Sequence, residues 1–343
     1  MAKTLVTGGA GFIGSNLVYR LLSEGHDVTV FDNLSRAGTD SNLVWLRQAF
    51  GEDGFRLVRG DLADYDALLA ATDGAERVYH LAGQVAVTTS VTDPRADFMA
   101  NALGTFNALE AARHAGNDPI FIYASTNKVY GGMEEIEIVD AGNRYAYAAF
   151  PRGIPESAPL DFHSPYGASK GAGDQYTRDY HRIYGLRTVV MRQSCIYGPR
   201  QMGGEDQGWV AWFIIAALKG RPITIYGDGK QVRDILFIDD LLDAYDAAIA
   251  QIDHAAGRIY NVGGGPDNTL AIWSEFGPLL EELLDRPIPV VHGDWRPGDQ
   301  KVYISSIAKM NDELGWAPNV GVREGITRLV NWARDHQHLF AHL

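Results

Sequence analysis

The chain has 343 residues, 46% of them hydrophobic and 21% charged, and its 30 Lys and Arg residues against 43 Asp and Glu residues give a formal net charge of −13. At roughly 150 residues per domain, this length predicts about two domains. An acidic chain without a block of Lys and Arg is not expected to bind nucleic acid or an anionic membrane surface. The single cysteine, Cys195, excludes an internal disulfide bond, and no signal peptide or membrane-spanning apolar stretch is recognised. These features predict a soluble, cytoplasmic enzyme.

Short apolar runs alternate with helical patterns through the first half of the chain. Runs that predict strands lie at residues 3–7, 27–31, 55–59, 77–81 and 119–124, and helical patterns lie at 12–23, 65–71 and 98–114. Runs that are apolar at nearly every position, such as 28–31 and 120–123, are typical of strands buried on both faces. The alternation predicts an α/β fold, with a doubly wound parallel sheet between two layers of helices.

The pattern changes after the fifth predicted strand. Residues 131–164 contain several Gly and Pro residues without a clear period, which predicts a long ordered loop. A helix at 164–184 and a strand at 186–192 follow, and then helices at 239–251, 270–285 and 322–335 among short strands. We predict a first domain of residues 1–195 plus about 234–262. A smaller α/β C-terminal lobe, of about 196–233 and 263–343, is expected to bind the substrate and complete a cleft.

The first motif with chemical meaning joins the first predicted strand to the first helix. Gly8 permits a tight turn, Gly11 admits a pyrophosphate close to the backbone, and Gly14 lets the helix pack against the strand. A glycine turn alone is common, but Asp32 ends the second predicted strand, 24 residues after Gly8, where a carboxylate binds a ribose 2′-hydroxyl. The motif predicts a site for NAD rather than NADP, and Arg36 nearby leaves NADP open as the alternative.

The second motif is the pair Tyr166 and Lys170 at the start of a predicted helix. Positions i and i+4 lie on one face of a helix, so the phenol and the ammonium can reach the same cleft. We expect the Lys170 charge and the positive nicotinamide ring of a bound cofactor to lower the pKa of Tyr166 towards neutrality, so that the phenol can act as an acid or a base. Thr126 ends the fifth predicted strand, at the edge of the sheet where ligands bind. A surface Tyr–Lys pair is the simpler alternative, but its place after a dinucleotide motif favours a redox site.

Two arginines in the second half of the chain are candidates for binding phosphate. Arg233 lies in segment 227–234, and Arg296 opens segment 296–299. A guanidinium group binds phosphate oxygens with two parallel hydrogen bonds. Ion pairs with Asp234 and Asp299 explain the two arginines equally well when each is taken alone.

Taken in this order, the motifs resemble the extended short-chain dehydrogenase/reductase family, which includes NAD-dependent epimerases and dehydratases of nucleotide sugars. The resemblance also includes Gly60-Asp61-Leu62, His80-Leu81-Ala82-Gly83 and Asn101. It implies a Rossmann-type domain, a tightly bound NAD that each turnover regenerates, and catalysis by Thr126, Tyr166 and Lys170. The residues that it implies for cofactor binding are Gly8, Gly11, Phe12, Ile13, Gly14, Asp32, Asn33, Ser35, Arg36, Asp61, Leu62, Leu81, Ala82, Gln84, Asn101, Tyr166 and Lys170.

Within this family the chain resembles epimerases that invert C2 of a nucleotide-bound sugar. Asn127 and Lys128 follow Thr126, whereas dehydratases of the family have Asp-Glu there, so dehydration is disfavoured. The segments that share the resemblance are 82–90, 125–131, 160–167, 169–176, 197–201, 206–210 and 229–234, and segment 193–195 departs from it. The substrate-binding residues that it implies are Gln84, Val87, Thr126, Asn127, Ser194, Cys195, Gln201, Gln207, Tyr226, Arg233, Arg296 and Asp299.

The implied partner is a nucleotide-diphosphate sugar with cytidine as its base, or alternatively guanosine or uridine. A nucleotide-sugar 4-epimerase and an NAD-sensing regulator on the same fold stay open as alternatives. The resemblance also implies a homodimer or homotetramer, joined through the apolar faces of segments 98–114 and 166–184. No metal is expected, because His114, His181 and His254 lack the spacing of metal ligands.

Overall fold

Strands and helices alternate along the first half of the chain, and shorter elements follow. A computed structural model describes residues 1–296 and 299–340. Within them the strands are β1 Lys3–Thr7, β2 Asp27–Asp32, β3 Arg56–Arg59, β4 Arg77–His80, β5 Ile120–Thr126, β6 Ile138–Asp140, β7 Tyr145–Tyr147, β8 Thr188–Gln193, β9 Ile196–Tyr197, β10 Ile223–Tyr226, β11 Val232–Asp234, β12 Leu236–Phe237, β13 Arg258–Val262, β14 Thr269–Ala271, β15 Val290–Gly293 and β16 Val302–Tyr303. The α-helices are α1 Phe12–Ser23, α2 Thr39–Phe50, α3 Tyr65–Thr72, α4 Val87–Thr92, α5 Pro94–Phe98, α6 Gly104–His114, α7 Ser164–Tyr184, α8 Trp209–Leu218, α9 Ile238–Ala250, α10 Ile252–Ala255, α11 Phe276–Leu284, α12 Ala308–Leu314 and α13 Val322–Asp335.

The large sheet has seven strands in the order β13-β8-β5-β4-β1-β2-β3. The pairings of β1 with β2 and β4, of β2 with β3, and of β4 with β5 are parallel. The chain therefore builds outwards from β1 in both directions, as a Rossmann fold does, and ligands of such sheets bind where the strand order reverses. The predicted fold class, a Rossmann-type doubly wound parallel sheet with smaller α/β elements after it, is confirmed.

Burial explains why these runs form strands. The central strands bury nearly all of their side chains, and Leu5, Val30 and Phe121 are fully buried. The apolar faces of α3 and α6 join the same core through residues such as Leu68 and Leu109. Strands with no solvent-facing side need apolar residues at successive positions, which is the pattern that the sequence shows.

The chain divides into two compact units. The first consists of Met1–Val129, Ser164–Arg192 and Tyr245–Tyr260, and it contains almost all of the large sheet. The second consists of Tyr130–His163, Gln193–Ala244 and the described residues from Asn261 onwards. It contains the three-stranded sheet β14-β11-β16 and three strand pairs, β10-β15, β12-β9 and β6-β7.

The units differ from the predicted domains at 130–163, 193–195, 234–244 and 261–262, which lie in the second unit rather than the first. The segment 131–164 was expected to be a loop, but it contains a β-hairpin of β6 and β7. This segment joins the second unit because its backbone bonds there: the Tyr145 N–H donates to the Lys230 carbonyl at 3.1 Å, and Ile154 forms a bridge with Ser305. The prediction of a helix over 270–285 is wrong for its first part. Thr269–Ala271 is a strand that pairs with β11, and the helix begins at Phe276.

Candidate functional site

The loop between β1 and α1 brings the predicted glycines together. A Cβ atom at Gly14 would lie 2.1 Å from the Gly8 carbonyl oxygen, so the close approach of helix and loop requires glycine. Gly11 is the N-cap of α1, and it has extended backbone and no side-chain hydrogen bond that caps the helix. A Cβ atom there would lie 3.2 Å from the Gly8 carbonyl oxygen, a tight contact that a shift of a few tenths of an ångström would relieve. The N-terminal N–H groups of α1 therefore stay available to a phosphate group.

Asp32 ends β2 beside this loop. Its carboxylate accepts hydrogen bonds from the N–H groups of Ala10, at 3.0 Å, and Leu34, at 2.8 Å. Burial raises the pKa of Asp32, and these two hydrogen bonds oppose the rise. The carboxylate is thus fixed at the glycine loop, where a ribose hydroxyl is expected.

Most of the other predicted cofactor residues lie at the ends of neighbouring strands. The Asn33 amide donates to the Asp61 carboxylate at 2.9 Å and accepts a hydrogen bond from the Ser35 hydroxyl at 2.7 Å. The Gln84 side-chain amide donates to the Ala86 carbonyl oxygen at 2.6 Å and accepts a hydrogen bond from the Ala86 N–H at 2.7 Å. Elsewhere Phe12 and Ile13 open α1, Arg36 is exposed after β2, Leu62 is buried after β3, Leu81 and Ala82 follow β4, Val87 begins α4, and Asn101 lies in a π-helical turn at Met99–Leu103.

Thr126 and Tyr166 meet at the carboxyl end of β5. The Thr126 hydroxyl donates to the Asn127 amide oxygen at 3.3 Å and accepts from the Lys128 N–H at 3.2 Å. Burial raises the pKa of Tyr166 to about 12, although the nearby Thr126 hydroxyl and the charge of Arg36 lower it. The expected lowering of this pKa by Lys170 is therefore wrong for the chain alone, because the cost of burying a phenolate outweighs the favourable neighbours.

Lys170 lies one turn further along α7 and is buried. Its ammonium donates to the Ala124 carbonyl oxygen at 2.6 Å and lies 4.3 Å from the centre of the Tyr123 ring. Burial lowers the pKa of Lys170 to about 7, and the carboxylates of Asp174 and Asp97 oppose this change. β5 therefore positions both the hydroxyl of Thr126 and the charge of Lys170.

In the second unit, Arg233 lies on β11 and pairs with a carboxylate. Its guanidinium donates to Asp299 at 2.7 Å, and its side chain is only 8% exposed. The neighbouring Asp234 makes no part of this pair: its carboxylate accepts hydrogen bonds from the Ser194 hydroxyl at 2.6 Å and the Ser305 N–H at 3.1 Å. Of the ion pairs considered as the alternative to phosphate binding, Arg233 forms the one with Asp299 and not the one with Asp234.

Arg296 lies over an aromatic ring. Its guanidinium carbon is 3.9 Å from the centre of the Tyr226 ring, and a terminal nitrogen is 3.4 Å from the Asp206 carboxylate. The Tyr226 hydroxyl donates to Glu205 at 2.7 Å. The two residues that follow Arg296 in the predicted phosphate segment, Pro297 and Gly298, lie outside the described residues.

The remaining predicted substrate residues also lie in the second unit. Ser194 is buried against Asp234, and Cys195, partly buried, has a left-handed backbone with φ of 34°. The Gln201 amide donates to the Ile196 carbonyl at 3.2 Å. Gln207 forms an isolated backbone bridge with Gly204. The positive φ of Cys195 is uncommon for a residue other than glycine, and it marks the turn between β8 and β9 as constrained.

Residues 4–263 match the NAD dependent epimerase/dehydratase family. The chain belongs to this family. It is 42% identical over 337 residues to a CDP-paratose 2-epimerase from Salmonella typhi, with 96% of this chain and 98% of that protein covered. It is 35% identical over 334 residues to a UDP-glucose 4-epimerase from Mycolicibacterium smegmatis, with 97% of this chain and 99% of that one covered.

Solved structures of NAD-dependent epimerases and dehydratases share the fold along the whole chain. A UDP-glucose 4-epimerase from Thermotoga maritima, solved with UDP-glucose, has a TM-score of 0.83 and 30% identity, and covers 98% of this chain and 99% of its own. A dTDP-glucose 4,6-dehydratase from Streptomyces venezuelae, solved with NAD, has a TM-score of 0.83 and 31% identity, with 98% of each chain covered. The cofactor of this family is NAD. The glycine loop fits it, because Gly11 leaves space at a helix N-terminus and Asp32 presents a carboxylate there.

The structure also places buried carboxylates, which the sequence analysis does not predict, near Lys170. Asp97, 1% exposed, accepts hydrogen bonds from the Ser169 hydroxyl at 2.5 Å and the Asn101 amide at 3.0 Å. Asp174 and Arg192 form a buried pair with two contacts of 2.9 Å, and the Ser125 hydroxyl donates to Asp174 at 2.7 Å. The sequence carries a signal for Ser125 and Arg192, which are polar residues in otherwise apolar strands, but none for Asp97 and Asp174, whose helices contain other polar residues.

Among residues 1–296 and 299–340, no group of three or more His, Cys, Asp or Glu side chains is placed to hold a metal ion. In the same residues, none of the helices combines the length and the apolar character that crossing a membrane requires.

Proposed function

We propose that this family member is an NAD-dependent epimerase that inverts C2 of a nucleotide-diphosphate sugar, of the CDP-paratose to CDP-tyvelose type. The observation that carries the proposal is the residue beside Thr126. Asn127, 8% exposed, presents an amide oxygen that accepts the Thr126 hydroxyl at 3.3 Å. An amide cannot remove or deliver the protons of a dehydration as a carboxylic acid can, so the site supports epimerisation.

Similarity supports C2 as the reacting carbon. The identity of 42% to a CDP-paratose 2-epimerase exceeds the 35% and 32% to two proteins named as 4-epimerases of UDP-glucose. Each of these comparisons covers at least 96% of the chain. The difference therefore does not come from a partial match, and it favours inversion at C2 over inversion at C4.

The chemistry follows from the weak acidity of the bond that must break. No carbonyl group adjoins C2 in such a substrate, so the C2–H bond cannot be inverted by simple deprotonation. Bound NAD supplies the alternative, because it can take a hydride from C2 and give it back. Tyr166 would take the proton of the 2-hydroxyl group and later return it, and Thr126 would donate a hydrogen bond to the developing carbonyl oxygen. General acid–base assistance of this kind contributes about 10²–10⁴ in rate.

Inversion requires the keto sugar to turn before it is reduced on its other face. The nucleotide end must stay bound during this step, and we assign that role to Arg233 and Arg296. Each arginine already contacts a carboxylate, Asp299 at 2.7 Å and Asp206 at 3.4 Å, so each is positioned for an anion. The phosphate oxygens would replace or share these carboxylate contacts.

Product analysis by NMR tests the proposal. The NAD-loaded protein is incubated separately with CDP-paratose and UDP-glucose, and the stereochemistry of each carbon is read from the proton couplings. Inversion at C2 of the CDP sugar supports the proposal, whereas inversion at C4 of the UDP sugar assigns the alternative 4-epimerase activity. NAD binding without turnover of either sugar would favour the NAD-sensing regulator. A thermal-shift comparison of CDP, GDP and UDP in the presence of NAD identifies the base.

We also propose that the protein forms a homodimer, or a homotetramer built from such dimers, through one face of α6 and α7. Large apolar side chains of the first unit are exposed there: Phe106 is 38% exposed, Tyr176 51% and Ile183 66%. The rings of Phe106 and Tyr176 pack edge to face, 6.0 Å apart, so the two helices present one continuous surface. Exposed apolar groups of this size mark an interaction surface. Light scattering of Tyr176→Glu should give a monomer, and an unchanged assembly would reject this interface.

A further inference from the structure

The hairpin of β6 and β7 lies in segment 131–164, for which the sequence predicts a loop. Its strands pair in antiparallel register, with Ile138 opposite Tyr147 and Asp140 opposite Tyr145. Ile138, Tyr145 and Tyr147 pack against the buried side chains of Val232 and Val302. These valines belong to β11 and β16, which pair with each other in the three-stranded sheet of the second unit. The hairpin therefore covers the strand that carries Arg233.

The contacts of the hairpin concentrate on the turn that leads into this strand. The Tyr145 N–H donates to the Lys230 carbonyl at 3.1 Å, and the Tyr145 hydroxyl donates to the Asp228 carboxylate at 2.6 Å. The other Asp228 oxygen accepts the Lys230 N–H at 3.0 Å. The Lys230 ammonium in turn donates to Asp140 at 2.9 Å. Asp140, Tyr145, Asp228 and Lys230 thus form one closed set of contacts, which we call the hairpin clasp.

The hairpin also reaches the far side of Arg233. The Tyr147 hydroxyl donates to the Val302 carbonyl oxygen at 2.9 Å, on the strand where Tyr303 lies opposite Arg233. Arg144, in the turn of the hairpin, donates to the Thr269 hydroxyl at 2.7 Å on the other neighbouring strand. Contacts before Arg233 and on both flanking strands leave its backbone few ways to move.

The clasp is partly exposed to solvent, so its role in positioning Arg233 can be distinguished from a contribution to the stability of the core. The side chains of Lys230 and Asp140 are 31% and 49% exposed. Exposed ion pairs contribute at most about 1 kcal/mol to stability. Such a pair can affect ligand affinity more than it affects stability. A binding residue that is already held in its bound conformation loses less conformational freedom when the ligand binds.

We propose that the hairpin clasp is a positioning element for the diphosphate group, with Tyr145 and Asp140 acting through the turn 227–230 on Arg233. The inference rests on the proposed role of Arg233 in binding the diphosphate. Removal of the clasp weakens nucleotide binding and raises KM, and it leaves kcat and the affinity for NAD unchanged, since Tyr166 and Lys170 belong to the first unit.

Calorimetric titration of the NAD-loaded enzyme with CDP, and in parallel with UDP, tests this role. The double variant Tyr145→Phe/Asp140→Asn loses one hydrogen bond to a carboxylate and one exposed ion pair, so its nucleotide affinity should fall about five-fold to ten-fold. The single variant Asp140→Glu keeps the carboxylate that pairs with Lys230 and should bind the nucleotide as the wild type does. Glu282→Gln is the matched control, because Glu282 forms an exposed ion pair with Arg323 at 2.7 Å, also in the second unit and on helices away from the hairpin strands.

The variant Arg233→Ala distinguishes the positioning role of the clasp from the proposed diphosphate site. If Arg233→Ala weakens nucleotide binding but the clasp variant binds as the wild type does, the positioning role is rejected and the proposed diphosphate site stands. If Arg233→Ala also binds normally, both are rejected. An equal loss in Glu282→Gln and in the clasp variant would show a general loss of stability and would likewise reject the clasp.

Discussion

The Lys170 ammonium donates a hydrogen bond to the Ala124 carbonyl oxygen at 2.6 Å, two residues before Thr126 on the same strand. The lysine of the candidate active site is therefore tied to β5 by a neutral acceptor. The Tyr123 ring lies 4.3 Å from the same ammonium and adds a favourable contact with the cation. These partners position the charge, but they do not compensate fully for its removal from water.

The first prediction concerns the pH dependence of stability. The pKa of Lys170 falls from 10.5 to about 7 in the folded protein, because the side chain is buried. Between about pH 7 and pH 10.5 the unfolded chain holds a proton on this residue that the folded protein lacks, so its contribution to stability rises with pH. Urea unfolding at both ends of this window should show a smaller rise in Lys170→Met than in the wild type. Parallel curves for the two proteins would contradict the lowered pKa.

The second prediction assigns the acid–base role. Tyr166→Phe keeps the ring and removes the hydroxyl that would exchange the proton with the substrate. Its kcat should fall by about 10²–10⁴, while NAD binding, measured by calorimetry, stays near that of the wild type. Tyr19→Phe is the control, since Tyr19 lies on α1 of the same unit and is 40% exposed. A Tyr166→Phe enzyme that epimerises at a normal rate would remove Tyr166 from the mechanism.

The third prediction concerns the buried carboxylate of Asp97. Its charge raises the pKa of Tyr166, in addition to the larger effect of burial. Asp97→Asn should therefore lower that pKa and move the ascending limb of the pH–rate profile to lower pH. Asp93→Asn removes a charge from an exposed N-cap of α5, where asparagine still caps the helix, and should leave the profile in place. A shift of the Asp97→Asn profile to higher pH would contradict this account.

The fourth prediction separates cofactor binding from helix capping. Gly11 and Gly321 are the N-caps of α1 and α13, both with extended backbone, and a Cβ atom at Gly321 would meet nothing within 4 Å. Replacing either by alanine should cost about 1 kcal/mol or less in folding free energy. Only Gly11→Ala should weaken NAD binding, by about tenfold or more, because its methyl group would occupy the space left for the phosphate groups. Equal NAD affinity in the two variants would show that the loop does not bind the cofactor.

The sequence predicts best those features that are encoded locally. The bounds of α1, α7 and α13 agree with the predicted 12–23, 164–184 and 322–335. The buried faces of α1 and α13 are mostly apolar, whereas the buried face of α7 is mixed and includes Lys170 and Asp174. α2 was missed, since only a few of its residues, such as Leu43 and Leu46, are buried. The segment 269–271 has an apolar pattern compatible with a helix, and its pairing with β11 makes it a strand.

The candidate site shows the same division. The glycine loop and the Tyr166–Lys170 spacing are local, so their placement on a strand–helix junction and on one helix could be predicted. The partners of these groups could not. Asp97 lies 72 residues before Ser169, and Arg192 lies 18 residues after Asp174, and only the folded chain brings them into contact. The pKa of Tyr166 depends on burial at this depth, which a motif does not encode.

The π-helical turn at Met99–Leu103 fixes the angular relation between two sets of buried polar contacts. Before and within it, Asp97 and Asn101 bond to each other and to Ser169. After it, Thr105 contacts His80 at 3.1 Å, and the Asn107 amide donates to the Leu62 carbonyl at 2.8 Å. Each residue of an α-helix turns the chain by about 100°, so deletion of one residue from the π-helical turn would rotate one set against the other by that angle. Both sets could not then be satisfied, and this family member would have to break its contacts to β4 or those to the helix of Tyr166.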